Sequence, residues 1–238
     1  MFRLGIAYKN DQRMNSIVNK DNKKWIVVAS YFILSVVIPI IVSVTFATLK
    51  IENPTSFDYW MMVVEEALIL AVCIACLFND ILLEMKKDSL KRILAMAGIF
   101  FVVFILLNAA AGWVYPLIGI DVTSSINQQI MAEMKRALPK TLFCFSCVIM
   151  GPISEELVFR FALYNLIIEI CGHSDNASLI AIIGSSMCFG IMHSGFSIMI
   201  VPYFLIGVFF CAGYVYSKNI IPVILVHSVN NIIAIGIL

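Results

Sequence analysis

The chain reads as long apolar runs separated by short polar gaps. Runs of the roughly 17–25 residues that a membrane helix needs lie at about 25–49, 60–83, 93–118, 138–170, 177–195, 197–216 and 220–238. The pattern predicts an all-α fold: a polytopic transmembrane helical bundle of about seven spans, within a range of six to eight. The fourth run exceeds a simple span and carries Gly151 and Pro152 in its middle, so it either kinks there or extends beyond the bilayer. Residues 119–137 are more polar, with an apolar rhythm through Ile126, Ile130 and Met134 that predicts an amphipathic interfacial helix. No repeat or low-complexity stretch divides the chain. It is organised as a polar tail (1–24), N-terminal spans with the interfacial segment (25–137) and a C-terminal helical core (138–238). The first run, from Trp25 to Leu49, is too long for the roughly 7–15-residue apolar region of a signal peptide and is read as a retained span.

Basic residues in the gaps supply an orientation. Arg3, Lys9, Arg13, Lys20, Lys23 and Lys24 precede the first span, Lys86, Lys87, Lys91 and Arg92 follow the second, and Lys218 follows the sixth. Seven spans put all three groups on one side, which predicts a cytoplasmic N-terminus by the positive-inside rule. The other side carries Lys50, Lys135, Arg136 and Lys140, partly offset by Glu52, Asp58, Asp121 and Glu133.

Composition agrees with a membrane protein. The chain is 61% hydrophobic and 13% charged, against about 45–50% and 25% in soluble domains. With a net charge of +1, nothing points to nucleic acid. Two of the cysteine pairs have CxxC spacing, Cys73/Cys76 and Cys144/Cys147, but both sit inside apolar helices. There they read as small apolar residues rather than a tetrathiolate metal site, and no disulfide is implied.

Polar groups inside apolar runs carry the candidate chemistry. In Gly151-Pro152-Ile153-Ser154-Glu155-Glu156-Leu157-Val158-Phe159-Arg160, three charged residues stand where each costs roughly 2.5–3.5 kcal/mol on insertion scales. Glu156 and Arg160, four apart on an α-helix, can pair, while Glu155 points about 100° away. Glu155 is then free to enter a polar cavity as a general base, although the same spacing also fits an interhelical clamp. His193 lies near the end of a helix, with Phe189 one turn before it. It reads as a catalyst or as a hydrogen-bonded interface residue, and Phe189 as a cover over the site or as core. His227 and Asn231 share one face of the last helix and can donate to an oxyanion or bind two helices together; Asn230 points elsewhere. Gly184, Ser185, Ser186 and Gly190 allow close helix approach. Glu65 and Glu66 can line a substrate entrance, but snorkelling to the interface is the expected behaviour. Asp80, Glu169 and His173 are expected to be solvated near helix ends.

The ordered motifs Glu-Glu-x-x-x-Arg, Phe-x-x-x-His and His-x-x-x-Asn on separate helices, with Pro152 ahead of the acids, resemble the CPBP family. This is the family of CAAX prenyl endopeptidases and bacteriocin-processing proteins, also called Abi. The resemblance covers about residues 138–238. It implies an intramembrane endopeptidase with Glu155 activating water, Glu156 and Arg160 as motif partners, His193 and His227 catalytic, and Asn231 stabilising the oxyanion. Family members often carry glycine after the motif arginine; Phe161 stands there in this chain, which bears on helix packing rather than on chemistry.

The family is commonly labelled metalloprotease. A zinc ion, if present, would draw on His193, His227 and Glu155 or Glu156; a metal-free mechanism uses the same residues, with Glu155 and His193 polarising water, and is preferred. The expected substrate is a hydrophobic peptide or membrane protein: a peptide pheromone or bacteriocin precursor, or a CAAX-type C-terminus. The expected setting is a prokaryotic plasma membrane, with the lipid bilayer as partner and the oligomeric state not set by sequence. The alternative within the family is a non-proteolytic immunity or regulatory scaffold. A transporter using the acids as a proton relay would need inverted repeats, and the chain has none.

Overall fold

The computed structural model describes residues 22–50, 56–122, 125–172 and 174–237; His173 and the tail before Asn22 lie outside the described residues. The described residues form helices without strands, and the chain is a multi-pass membrane protein. The helices are α1 (Asn22–Leu49), α2 (Phe57–Met85), α3 (Leu90–Ile118), α4 (Ile126–Ala137), α5 (Lys140–Cys171), α6 (Asp175–Ser194), α7 (Ile200–Ser217) and α8 (Ile221–Ile237). Among the described residues six of them are long and apolar enough to cross a bilayer, and α8 is a shorter apolar helix. No end of the seven apolar runs shifts by more than three residues from its position in the sequence reading.

Local chemistry sets those ends. Ser89, Ser125 and Ser174 cap α3, α4 and α6, each side-chain oxygen accepting the N–H three residues on. Gly119 and Gly195 adopt left-handed φ values of 76° and 59° at the ends of α3 and α6, where a side chain would be strained. Helix α4 is only partly covered but buries Met134 in a small apolar cluster with Val63, Leu138 and Phe143.

Helix α5 is the centre of the bundle. In its most apolar stretch 61% of residues are buried, against 11–39% in the other spans, so the other helices enclose it and themselves face lipid. Helix α1 packs on α2 and α5, and α6 pairs closely with α7. A Cβ at Gly207 would lie 3.0 Å from Ser186, and one at Gly190 3.1 Å from Ile200, so small residues on both helices permit the approach.

At one end of the bundle a polar cluster ties three segments together. Glu84 accepts from the Tyr214 hydroxyl at 3.0 Å and from the Ile220 N–H at 3.1 Å. Asn219 donates to Asp88 at 3.1 Å. Lys23 pairs there with Asp80 at 3.6 Å and Lys24 with Glu169 at 2.5 Å, so these two acids are paired as well as partly exposed. The start of α1, the α2–α3 turn and the α7–α8 turn thus share one end of the bundle, as the charge pattern requires.

Two segments of α5 are π-helical, Ser146–Met150 and Leu157–Tyr164, and they flank the acid-bearing turn Gly151–Glu156. Pro152 explains the first. It has no N–H, its ring crowds the carbonyl one turn earlier, and a widened turn relieves both problems. The Gly151 N–H reaches back to Ser146 O, and the Cys147 carbonyl is left short of a helical donor. In the second segment, Ser185 Oγ donates to Phe159 O at 2.6 Å and Asn165 Nδ2 to Phe161 O at 2.7 Å. Side chains thus satisfy carbonyls that the wider turn presents outward. The long fourth run is resolved as one continuous helix with two widened turns. Phe161, in place of the family's glycine, is buried against Tyr214 at a ring separation of 6.3 Å.

Candidate active site

Five of the six polar residues singled out by sequence come together where α5, α6 and α8 meet, and the sixth, Asn231, bonds α8 to α5 at Cys147. Arg160 and Glu156 are wholly buried and pair at 3.1 Å, so the i,i+4 contact survives even though the helix is π-helical after Glu156. Arg160 also donates to Gly207 O at 3.5 Å, and its guanidinium lies 4.3 Å from the Phe189 ring centroid and 5.4 Å from that of Phe210. A buried cation is tolerable there because a carboxylate, a carbonyl and aromatic faces replace water around it.

Glu156 does more than neutralise Arg160. Its Oε1 also meets His227 Nδ1 at 2.7 Å. A carboxylate partner assigns the proton to Nδ1 and turns Nε2 toward Glu155. His193 is fixed in the same sense: Nδ1 donates to Phe189 O at 3.1 Å, which leaves Nε2 with a free lone pair. The two Nε2 atoms lie 3.6 Å (His193) and 3.8 Å (His227) from a single oxygen, Glu155 Oε2. That oxygen is buried and has no hydrogen-bond partner. Separations just beyond direct bonding, between one orphaned acceptor and two imidazoles, suit a bridging water.

Aromatic rings hold the imidazoles. His193 is sandwiched between Phe189 at 4.2 Å and Tyr203 at 5.1 Å, and His227 stacks on Phe210 at 4.9 Å. Phe189 therefore packs over the site. Tyr203 and Phe210 could not be told from ordinary core in the sequence, because aromatic residues are frequent in apolar helices.

Counting seven simple spans puts His193 near one end of its helix and His227 nearer the opposite face, so that they meet only if helix limits shift or a loop dips inward. They meet with the limits almost unchanged. Their ring partners Tyr203 and Phe210 are two turns apart along α7, roughly 10 Å. Long side chains reaching toward Glu155 between them close that offset, helped by α8 packing mainly on α3 and α5 rather than alongside α7.

The Asn231 carboxamide donates to Cys147 O at 2.8 Å. It fills the carbonyl freed by Pro152, and one N–H remains for another acceptor. Asn230 only contacts the Asn231 side-chain oxygen, at 3.4 Å. Glu66 departs from expectation. It does not snorkel: its carboxylate turns inward and accepts from the buried Ser146 hydroxyl.

As placed, these side chains do not make a metal-ligand set. Among the described residues no group of three His, Cys, Asp or Glu side chains is gathered to hold an ion. Glu156 is committed to Arg160 and His227.

Comparison with known proteins bears on the same segment. Residues 137–233 match the family model described as type II CAAX prenyl endopeptidase Rce1-like. The chain is 30% identical over 155 residues to the membrane-embedded CAAX protease MroQ of Staphylococcus aureus, a match covering 64% of this chain and 62% of that protein. It is also 30% identical over 167 residues to the UPF0177 protein YxdF of Lactococcus lactis subsp. lactis, covering 69% of this chain and 88% of that one. The chain thus spans less than two thirds of the staphylococcal protease's length. No solved structure matches.

Proposed function

The chain belongs to the type II CAAX prenyl endopeptidase Rce1-like family, and from that premise we propose that it is an intramembrane endopeptidase in which Glu155 and His193 activate water. The observation that carries the reading is the buried, unpartnered Glu155 Oε2 facing two imidazole Nε2 atoms. A water bound there gives one proton to Glu155 as its oxygen attacks the scissile carbonyl, while His193 Nε2 accepts a hydrogen bond from the O–H that remains. The C=O π electrons move onto oxygen. The oxyanion is met by the free N–H of Asn231 and, when its Nε2 carries a proton, by His227, which Glu156 holds at Nδ1. Collapse breaks the C–N bond, and Glu155 returns its proton to the leaving amine. Glu156 and Arg160 act by holding His227 and the helix.

The proposed substrate is a hydrophobic peptide or membrane-anchored protein, with a prenylated CAAX terminus or a peptide precursor as the classes to try. The bacterial relatives favour a bacterial cell membrane. The shared basic end of the bundle supports a cytoplasmic N-terminus; a reporter fused ahead of Met1 that is active only outside the cytoplasm should stay silent, and an active one reverses the orientation.

Purified protein in detergent is expected to cleave an internally quenched peptide, either S-farnesylated at a CAAX terminus or unmodified and apolar. Turnover should survive prolonged treatment with a strong chelator. Loss of turnover restored by added zinc would overturn the metal-free mechanism. A folded protein that cleaves neither peptide would favour the scaffold alternative.

A further inference from the structure

Glu66 lies in the N-terminal part of the chain, outside the segment that matches the family model, and the mechanism above makes no use of it. An acid in an apolar span is costly, and a solvated end was within reach of snorkelling. Instead its side chain is aimed at α5. Oε2 accepts from Ser146 Oγ, on the first residue of the π-helical turn Ser146–Met150. Oε1 sits where a Cβ on Gly151 would come within 2.6 Å of it, so a side chain at 151 would push the carboxylate from this position. One oxygen is thus bonded at the first residue of the widened turn and the other lies against the glycine that follows it, and the next turn, Gly151–Glu156, carries Glu155. The Glu66 and Glu155 carboxylates are also close enough for their charges to interact.

We propose that Glu66 is a positioning residue for Glu155: through Ser146 and the space left by Gly151, it fixes the register of the widened turn from which Glu155 projects. The inference rests on Glu155 being the water-activating base. Pro152 favours a widened turn in this stretch, but it acts only by withholding one N–H and does not by itself hold the turn against shifts of the extra residue along the helix. An anchor from a neighbouring helix at the turn's first residue and at the glycine after it selects one register, and the wrong register swings Glu155 away from the imidazoles. A misplacement of about 1 Å already costs on the order of a hundredfold in rate.

The test is steady-state cleavage of the quenched peptide by the full chain in detergent, with kcat normalised to the monodisperse, thermally folded fraction. Glu66→Ala is expected to lower kcat at least tenfold with KM within twofold. Glu66→Gln keeps an accepting oxygen and should recover kcat to within threefold of wild type. Ser146→Ala should fall with Glu66→Ala, and the double variant should be no lower than Glu66→Ala. Gly151→Ala should cost at least tenfold in the wild-type background but under twofold more once Glu66 is alanine. A Glu66→Ala kcat within twofold of wild type, beside an inactive Glu155→Ala, overturns the inference and leaves the proposed mechanism standing. So does a Glu66→Gln as impaired as Glu66→Ala. If Glu155→Ala itself cleaves normally, the failure lies with the mechanism.

Discussion

Glu155→Ala should reduce kcat by about 10²–10⁴-fold while leaving the protein at least as stable as wild type. The two halves of that expectation have one cause. Glu155 Oε2 is a buried oxygen with no partner, which a fold optimised for stability would not keep. Removing it relieves a desolvation cost but takes away the carboxylate oxygen that faces both imidazoles. Turnover and melting should therefore move in different directions, as activity and stability often do at strained sites. His193→Ala should lose a comparable amount, and the Glu155→Ala/His193→Ala double variant little more than either alone, because groups acting on one water are not additive. Cleavage near the wild-type rate by folded Glu155→Ala protein would remove Glu155 from the mechanism.

Arg160→Ala should be the most damaging change to stability, at about 3–5 kcal/mol, the usual cost of stranding one member of a buried ion pair. The expectation follows from Glu156: it is wholly buried, and among the described residues Arg160 and His227 are the side chains that meet its Oε1. Arg160 also bridges to the Gly207 carbonyl and fills the space between the Phe189 and Phe210 rings. Replacing both members, as Glu156→Leu/Arg160→Met, removes the charge and keeps most of the volume, so melting should return toward wild type. Activity should not return, since His227 Nδ1 has then lost the carboxylate that orients it. Thermal melts in one detergent, read beside peptide cleavage, separate the two effects. If Arg160→Ala melts like wild type, the pair is not the support described here.

How much of this was visible beforehand differs by residue. The Glu156–Arg160 pair was legible because it is local: four residues on one helix bring the groups together whatever the rest of the chain does. Phe189 over His193 is legible for the same reason, one turn apart on α6. Glu66 was misjudged. Its sequence shows an acid in an apolar span, and the choice between the interface and Ser146 depends on which way α2 is rotated against α5. Asn231 was seen as a donor, but its bond to Cys147 O follows from Pro152 on a different helix and could not be read from its own segment.

The sequence by itself determined the class, the helices and their ends, because a bilayer requires a minimum apolar length and its edges are marked by charges, caps and glycines. It also nominated the charged and imidazole residues, since a polar group in an apolar span is costly enough to stand out. Only the tertiary structure decided which of them face one another, where α5 widens into π turns, and that an acid from α2 reaches the turn bearing Glu155. The physical reason is that lipid and protein interior are equally apolar. The hydrophobic pattern that reveals the core face of a helix in water is therefore silent about rotation and crossing here, and contacts between helices appear only once the bundle is assembled.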